Sequence, residues 1–427
     1  MTSTTIGVEP APIANTASAI NHLGIPAHLQ TFEPTSKAAF DRLEAVKPAS
    51  YARTRNALDG AVTGLSPYFT HGMLGMKEAA NSINRRHALS FEDKLVFEFG
   101  WREFFQHVWG TAAKGGDAIL DDMHGSLPSP GAYLDTLPQD IREARTGVPA
   151  MDAAVRTLYA TGYLHNHARM WLASYVVHLR KVHWRAGADW LYGHLLDGDL
   201  ASNHLSWQWV AGTFSSKPYL FNDDNVLKFA PAAARTAWAS PHTVIDQSYE
   251  ALDVMARSSR AAGPERGQHA GMAEPVLQGS VLASFMPPAQ AERSQAAITN
   301  IANKSVELIH PWNLSPRRGD AVRLGVIHLP THAAWPWSEK RWRFVLGAMH
   351  EVTDAIWIGD LRHLDLTGAR DVSAQATLFP GYRDALAEVA RLKPQPRLFP
   401  EPPMACRSFS KFYGRVQRDV GQFSDLL

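Results

Sequence analysis

Residues 161–231 constrain the fold of this 427-residue chain more than any other segment. They contain five of its 13 tryptophans, interleaved with charged and amide side chains. This mixture is unusual for a plain hydrophobic core, but it suits a pocket for a large planar ligand with polar edges. The segment therefore predicts a ligand pocket.

The pattern of the segment is helical. Apolar side chains recur at helical spacing over 164–179, where Asn166 and Met170 lie four residues apart and share a face. An Asp-Gly-Asp turn follows, and its second aspartate, Asp199, can cap a helix that starts near Leu200. Along this second helix, aspartate, asparagine and tryptophan recur once per turn, which predicts a polar and aromatic column on one face.

Each of these elements also has a simpler interpretation. Two tryptophans in one helix can be ordinary core packing, and Arg169 with Asp197 can be a structural ion pair. The His-Asn-His tripeptide at 165–167 suggests a metal or nuclease motif. Because adjacent helical side chains do not face each other, we expect no metal site here.

Taken together, the segment resembles the flavin-binding domain of the DNA photolyase/cryptochrome family. Four runs carry the resemblance at matching spacing: TGYLHN at 161–166, RM at 169–170, LDGDLASN at 196–203 and WQW at 207–209. The resemblance implies an all-helical domain with FAD as its cofactor.

Further upstream, the run VTGLSPYF at 62–69 places a glycine between hydroxyl residues, before a proline that suits a helix start. Such a turn can cradle phosphate, and the run resembles the family segment that holds the dinucleotide phosphates, although Val62 replaces a hydroxyl residue. The FAD contacts that the resemblance implies are Tyr51, Thr63, Gly64, Leu65, Ser66, Arg102, Arg169, Asp197, Gly198, Asp199 and Asn203. Among them, Asn203 corresponds to the residue that faces the flavin nitrogen that gains or loses a proton.

The run EFGWREFF at 98–105 is by itself an amphipathic helix. Through the resemblance, the residues implied to contact a damaged base pair are Glu98, Trp101, Asn166, Met170 and Trp209. The implied reaction is light-driven electron transfer from reduced flavin to a pyrimidine dimer that has been flipped out of the DNA duplex. His167 stands where the family usually has an arginine.

The family reduces its flavin through a chain of three tryptophans. Trp207 and Trp184 match the first two, but residues 110–160 contain no tryptophan to act as the third. The substitutes that we consider are Trp171, Trp190, Tyr175 and Tyr192.

We therefore predict a mainly α chain: a disordered segment 1–28, a helical FAD-binding domain 29–235, a mobile linker with short helices 236–305, and a small α/β domain 306–427. In the last part, strand-like 321–329 and 354–358 alternate with helical patterns, which suggests a parallel sheet. It has no Gly-rich phosphate fingerprint. It could be a displaced antenna-like module, a partner domain or a brace on the flavin domain.

Composition limits the other functions. The net charge of +1 does not indicate nucleic-acid binding by itself, and the single cysteine, Cys406, excludes internal disulfides and cysteine-only metal clusters. Neither a signal peptide nor an apolar run of about 18 residues is found, so we expect a cytoplasmic protein. The family's usual N-terminal antenna domain is not recognisable, so we expect no antenna pigment in its usual place.

The function that we predict is repair of cyclobutane pyrimidine dimers in DNA by a light-driven lyase. Glu98, Trp101, Met170 and Trp209 favour it. The alternative is a cryptochrome-like blue-light sensor without repair activity, with a protein partner at the C-terminal domain; His167, the altered electron chain and the unfamiliar C-terminal half favour that. A flavoprotein degenerate in both roles is a third interpretation.

Overall fold

The computed structural model describes residues 20–112, 119–125, 127–128, 130–265, 271–285 and 300–427. Within them lie 17 α-helices and seven strands. The helices are α1 Ser36–Glu44, α2 Pro48–Thr54, α3 Ser66–Thr70, α4 Met76–His87, α5 Lys94–Ala112, α6 Gln139–Arg142, α7 Pro149–Thr161, α8 Asn166–Ser174, α9 Trp184–His194, α10 Leu200–Ala211, α11 Asp223–Phe229, α12 Arg235–Trp238, α13 Tyr249–Arg257, α14 Leu329–Ala334, α15 Glu339–Val352, α16 Tyr382–Val389 and α17 Phe409–Val420. The strands are β1 Leu277–Gln278, β2 Ser305–Ile309, β3 Val322–His328, β4 Trp337–Ser338, β5 Ala355–Gly359, β6 Asp371–Gln375 and β7 Arg391–Lys393.

Helix α10 is the centre of the helical part, where it packs against α5, α8 and α9. Its start is as the sequence predicts, because the Asp199 carboxylate accepts a hydrogen bond from the Ser202 backbone N–H at 3.0 Å. Helix α8 continues into a π-helical turn at Tyr175–Leu179. The helix expected over 164–179 is thus present from Asn166 onward, and its last turn has the i to i+5 hydrogen bonds of a π-helix.

Residues on either side of the expected helical domain also belong to its core. Ile20 and Leu23 are buried, and the Trp238 indole N–H donates to the Leu23 carbonyl at 3.0 Å. This differs from the disorder expected through residue 28; the expectation for residues 1–19 lies outside the described residues. Likewise, Ile245 and Leu252 are buried in the helical core, so the first part of the expected linker is packed.

The C-terminal part contains the predicted parallel sheet. Its five strands follow the order β5-β3-β2-β6-β7 and all pair in parallel. In the centre, Val306 pairs with Val322 on one side and Val372 on the other. The patterns at 321–329 and 354–358 correctly predicted β3 and β5. Strands β2, β6 and β7 were not predicted; β6 (DVSAQ) and β7 (RLK) carry only two and one apolar residues, so they show no apolar run.

The helical part and the sheet share one hydrophobic core. The buried cluster that contains the sheet strands also contains side chains of α5 and α10. Helix α17 packs along α5, and a Cβ at Gly100 would lie 2.7 Å from the Tyr413 ring. Residues 306–427 are therefore packed against the helical part through a continuous apolar interface.

One buried arginine connects the two parts by hydrogen bonds. The guanidinium of Arg341, on α15, donates to the Tyr192 and Gly198 carbonyls, both at 2.6 Å. It lies between the rings of Tyr192 and Trp337, at 4.4 and 4.2 Å from their centroids. Arg341 is completely buried, so water cannot replace these contacts. None of the helices in the described residues is long and apolar enough to cross a membrane.

We expect Arg341→Leu to lower the free energy of unfolding by about 3 kcal/mol, because two buried carbonyls lose their donor. Urea denaturation measures this loss. Arg343→Leu is the matched control, because Arg343 lies on the same helix with its side chain about half exposed and an (i, i+4) ion pair to Glu339; it should cost less than 1 kcal/mol, roughly the value of a surface pair. Equal losses in the two variants would contradict the role given to Arg341.

Candidate flavin site

A cavity of about 300 Å³ opens between α2, α5, α8 and α10. It brings together residues from five separate stretches of the sequence. The predicted site residues that line it are Tyr51, Thr63, Ser66, Glu98, Trp101, Arg102, Asn166, Arg169, Met170, Asp197, Asn203 and Trp207. The other predicted residues, Gly64, Leu65, Gly198, Asp199, Trp184 and Trp209, lie outside the lining.

The carboxylate of Asp197 is the polar centre of the cavity. Arg169 Nη2 donates to both of its oxygens, at 2.8 and 3.0 Å, and the Ser66 hydroxyl donates to it at 2.6 Å. Arg169 also donates through Nε to the Leu164 carbonyl at 2.6 Å, which fixes the plane of the guanidinium. The arginine therefore carries a positive charge at a fixed position in the cavity wall, where it can stabilise an anionic ligand.

The backbone at residues 63–66 forms the turn that the sequence predicts as a phosphate cradle. Gly64 has a φ of +61°, and a Cβ there would lie 2.7 Å from Arg42 Nη1. The Leu65 N–H donates to the Thr63 hydroxyl at 3.3 Å. Any larger residue than glycine would be strained in this turn and would collide with the arginine.

The amide of Asn203 is held by the neighbouring helix. Its nitrogen donates to the Ala188 carbonyl at 2.8 Å, which leaves the amide oxygen as the group that can accept a hydrogen bond from a ligand. Asp199 does not line the cavity. Its carboxylate accepts from the Gln106 amide and from Ser202, so it positions α10.

Four of the five residues predicted to contact a substrate line the cavity. The Asn166 amide lies 3.5 Å from the Met170 sulfur, one turn along α8. Glu98 forms an ion pair with Arg55 at 3.3 Å, and burial raises the pKa of the Glu98 carboxyl. Trp101 also lines the cavity, but one of its faces stacks on Phe409 of α17, with centroids 4.1 Å apart and an interplanar angle of 6°.

Two predicted features have a different environment from the one expected. Trp209 is 36% exposed, and its ring packs against Tyr219 at 5.9 Å, beside the cavity rather than in its lining. His167 packs against Phe229 at 4.6 Å, and burial together with Arg55 lowers its pKa to about 4. The imidazole is therefore neutral near pH 7 and does not replace the positive charge of an arginine.

The aromatic residues behind the cavity lead toward the C-terminal part. Trp207 packs on α9 at Gly187, where a Cβ would lie only 2.4 Å from the indole ring. Trp184 is the first residue of α9. The His204 ring lies 6.1 Å from Trp184 and 5.7 Å from Trp335, which is half-buried. Trp335 is not among the substitutes considered from the sequence, because no local pattern relates a residue of the α/β part to α9.

The comparisons agree with this geometry. Residues 95–235 match the family model described as the FAD-binding domain of DNA photolyase. A deoxyribodipyrimidine photo-lyase of Synechococcus sp. is 34% identical over 217 residues, which cover 47% of this chain and 44% of that protein. A cryptochrome DASH of Ostreococcus tauri is 33% identical over 187 residues, covering 42% and 34%.

Residues 95–235 are an FAD-binding domain of the DNA photolyase type. Its cofactor is FAD. The chain spans less than half the length of these two relatives, and they carry both family names. A solved cryptochrome of Synechocystis sp. covers 55% of this chain and 52% of its own, at 24% identity and a TM-score of 0.43, which is too weak to add to the argument. The residues present fit FAD, because the Arg169 cation and the Asn203 amide oxygen line one cavity together with Thr63 and Ser66, which flank the Gly64 turn.

We expect Asp197→Asn to weaken FAD binding by about 3 kcal/mol, roughly a hundred-fold, because the partly buried Arg169 charge loses its partner. Titration of FAD into the flavin-free protein, followed by flavin fluorescence, measures the affinity. Asp253→Asn removes the carboxylate of an exposed ion pair on α13 and serves as the control. An unchanged affinity in Asp197→Asn would exclude this carboxylate from the flavin site.

Proposed function

We propose that this protein is a light-driven lyase that repairs cyclobutane pyrimidine dimers in DNA. The observation that supports it most directly is that Glu98, Trp101, Asn166 and Met170 line the same cavity as the flavin ligands Arg169 and Asp197. A dimer flipped into this cavity would lie next to the cofactor. FAD bound in this cavity and fully reduced would supply the electron on absorbing light.

In this proposal each substrate residue has a separate task. The indole of Trp101 offers its free face to the pyrimidine rings, while Phe409 supports the opposite face. Glu98, whose pKa is raised by burial, can hydrogen-bond the edge of a base. Met170 supplies a flexible apolar contact. Trp209, which is outside the lining, offers a partly exposed ring on which a flanking base can stack.

One observation favours the sensor as the second candidate. Helix α17 covers part of the face of α5 that carries Trp101, so part of the expected substrate wall is already in contact with protein. In a sensor, light-dependent changes in the flavin would be transmitted to such a contact. The neutral His167 also leaves one fewer cation for the DNA backbone.

The deciding experiment uses chemically reduced, FAD-loaded protein and an oligothymidine that contains cyclobutane dimers. We expect recovery of thymine absorbance under blue light and none in the dark. Trp101→Ala should abolish the recovery while FAD stays bound, since the stacking surface is lost. Trp357→Ala, which removes an indole in the sheet part, is the control and should repair normally. Flavin binding without light-dependent recovery would favour the sensor.

We also propose that Trp335 is the terminal electron donor in place of the third tryptophan of the family. The rings of Trp184, His204 and Trp335 follow one another at about van der Waals spacing. The Arg185 guanidinium, 5.3 Å from the Trp335 ring centroid, is paired with Asp189, which offsets a charge that would otherwise oppose oxidation of the ring.

Accordingly, Trp335→Phe should slow the photoreduction of bound FAD by an external thiol several-fold, with the ground-state flavin spectrum unchanged. Trp190→Phe is the control, because Trp190 bonds to Glu274 on the opposite side of α9. Absorbance at the flavin maximum, followed under steady illumination, gives both rates. Loss of rate only in Trp190→Phe would assign the donor to that residue and overturn the proposal.

A further inference from the structure

A second and larger cavity, of about 590 Å³, lies between the sheet and the photolyase-type domain. Its sheet side is formed by the segments that follow β2, β6 and β7. Its other side is formed by the start of α4 and by α5. A volume of this size is typical of sites for nucleotide-sized ligands.

The strand order explains why a cavity is found here. From the central strand β2 the chain proceeds to β3 and β5 on one side, and then returns to β6 and β7 on the other. The segments after β2 and β6 therefore leave the sheet in opposite directions. In open parallel sheets, the crevice outside the carboxyl ends of two such strands is the usual ligand-binding place.

Aromatic side chains from both strands line the crevice. Trp312, which follows β2, stacks on Phe379, which follows β6, with centroids 4.1 Å apart and an interplanar angle of 18°. Trp109 of α5 lines the facing wall. A flat apolar surface of this kind suits a planar ring.

Polar groups without protein partners also line the crevice. Asn313 is only 5% exposed; its amide oxygen accepts from the Ser315 hydroxyl at 3.4 Å, whereas its amide nitrogen has no partner among the described residues. The side-chain amides of Gln375 and Asn81 likewise make no hydrogen bond within the described part of the chain. Gln375 and Asn81 are partly exposed, whereas Asn313 is buried. Buried amides are ordinarily hydrogen-bonded, so the free nitrogen of Asn313 indicates a ligand with a polar edge.

The charges at the rim favour an anion. Lys77 and Arg318 line the cavity, and neither has an ion-pair partner within the described ranges. Two further cations line the cavity: Arg397, which is paired with Glu401 at 2.6 Å, and Arg102, which donates to the Thr70 hydroxyl at 3.2 Å.

Three carboxylates line the same cavity, and two of them are already engaged. Glu103 accepts from the Leu398 and Phe399 N–H groups, and Asp199 accepts from Gln106. The third, Glu78, lies in the first turn of α4. The unpaired cations therefore remain available to a phosphate group.

We propose that this crevice binds a second ligand, a nucleoside monophosphate. Its base would pack against Trp312 and Phe379, the amides of Asn313 and Gln375 would bind the polar edges of the base, and Lys77 with Arg318 would hold the phosphate. The crevice shares Phe69, Met76 and Arg102 with the flavin cavity, so the two sites are adjacent.

The test uses FAD-saturated protein and isothermal titration with adenosine 5′-monophosphate, with adenosine as the uncharged comparison. We expect one AMP per chain and weaker binding of adenosine. Arg318→Ala should lower the AMP affinity about ten-fold, as expected for the loss of one charge-assisted hydrogen bond, and leave FAD binding unchanged. Arg317→Ala is the matched control, because the neighbouring Arg317 is paired with Asp354 and lies outside the cavity lining.

Four results would overturn the proposal. They are absence of AMP binding, equal affinity for AMP and adenosine, equal effects of Arg318→Ala and Arg317→Ala, and binding of AMP only to flavin-free protein with displacement by FAD. The last would assign the crevice to the flavin site. Because Arg318 is exposed, its variant tests the site without disturbing the core.

Dimer repair is measured in a separate experiment. A failure of the ligand proposal and a failure of the repair proposal can therefore be distinguished.

Discussion

The flavin site depends on how the loop at 197–199 is held between two arginines. Arg169 of α8 binds the Asp197 carboxylate from one side, and Arg341 of α15 binds the Gly198 carbonyl from the other. A Cβ at Gly198 would lie 2.4 Å from the Arg341 guanidinium, so only glycine allows this approach. Buried groups of this kind cannot exchange their partners for water, which gives the loop one arrangement.

This arrangement makes the C-terminal part a component of the flavin site. His71, which follows α3, lies between the Leu196 carbonyl and the Pro311 carbonyl, at 2.8 and 2.7 Å. Burial and the nearby Arg341 charge lower the pKa of His71 to about 4, so its neutral ring donates to one of them. Of the roles considered for the α/β part, a brace on the flavin domain agrees best with these contacts.

Helix α17 has two effects on Trp101, one of the residues proposed to contact the substrate. By stacking on Trp101, Phe409 fixes the orientation of a ring that is otherwise attached only to α5. The same contact reduces the surface left for a dimer. The two proposed roles of α17, preorganising a repair site and transmitting a signal from the flavin, thus both act through the indole of Trp101. Repair and sensing therefore need not use different folds.

The sequence by itself determined the family, the cofactor and the helices, because these depend on spacings within one continuous segment. Asp199 as a cap and Asn166 with Met170 on one face follow from helical geometry alone. Only the tertiary structure decided what covers Trp101, that Trp335 lies against His204, and that Arg341 reaches the loop at 197–199. Each of these contacts joins residues more than 100 positions apart, and a contact between distant residues leaves no period or motif in a single sequence.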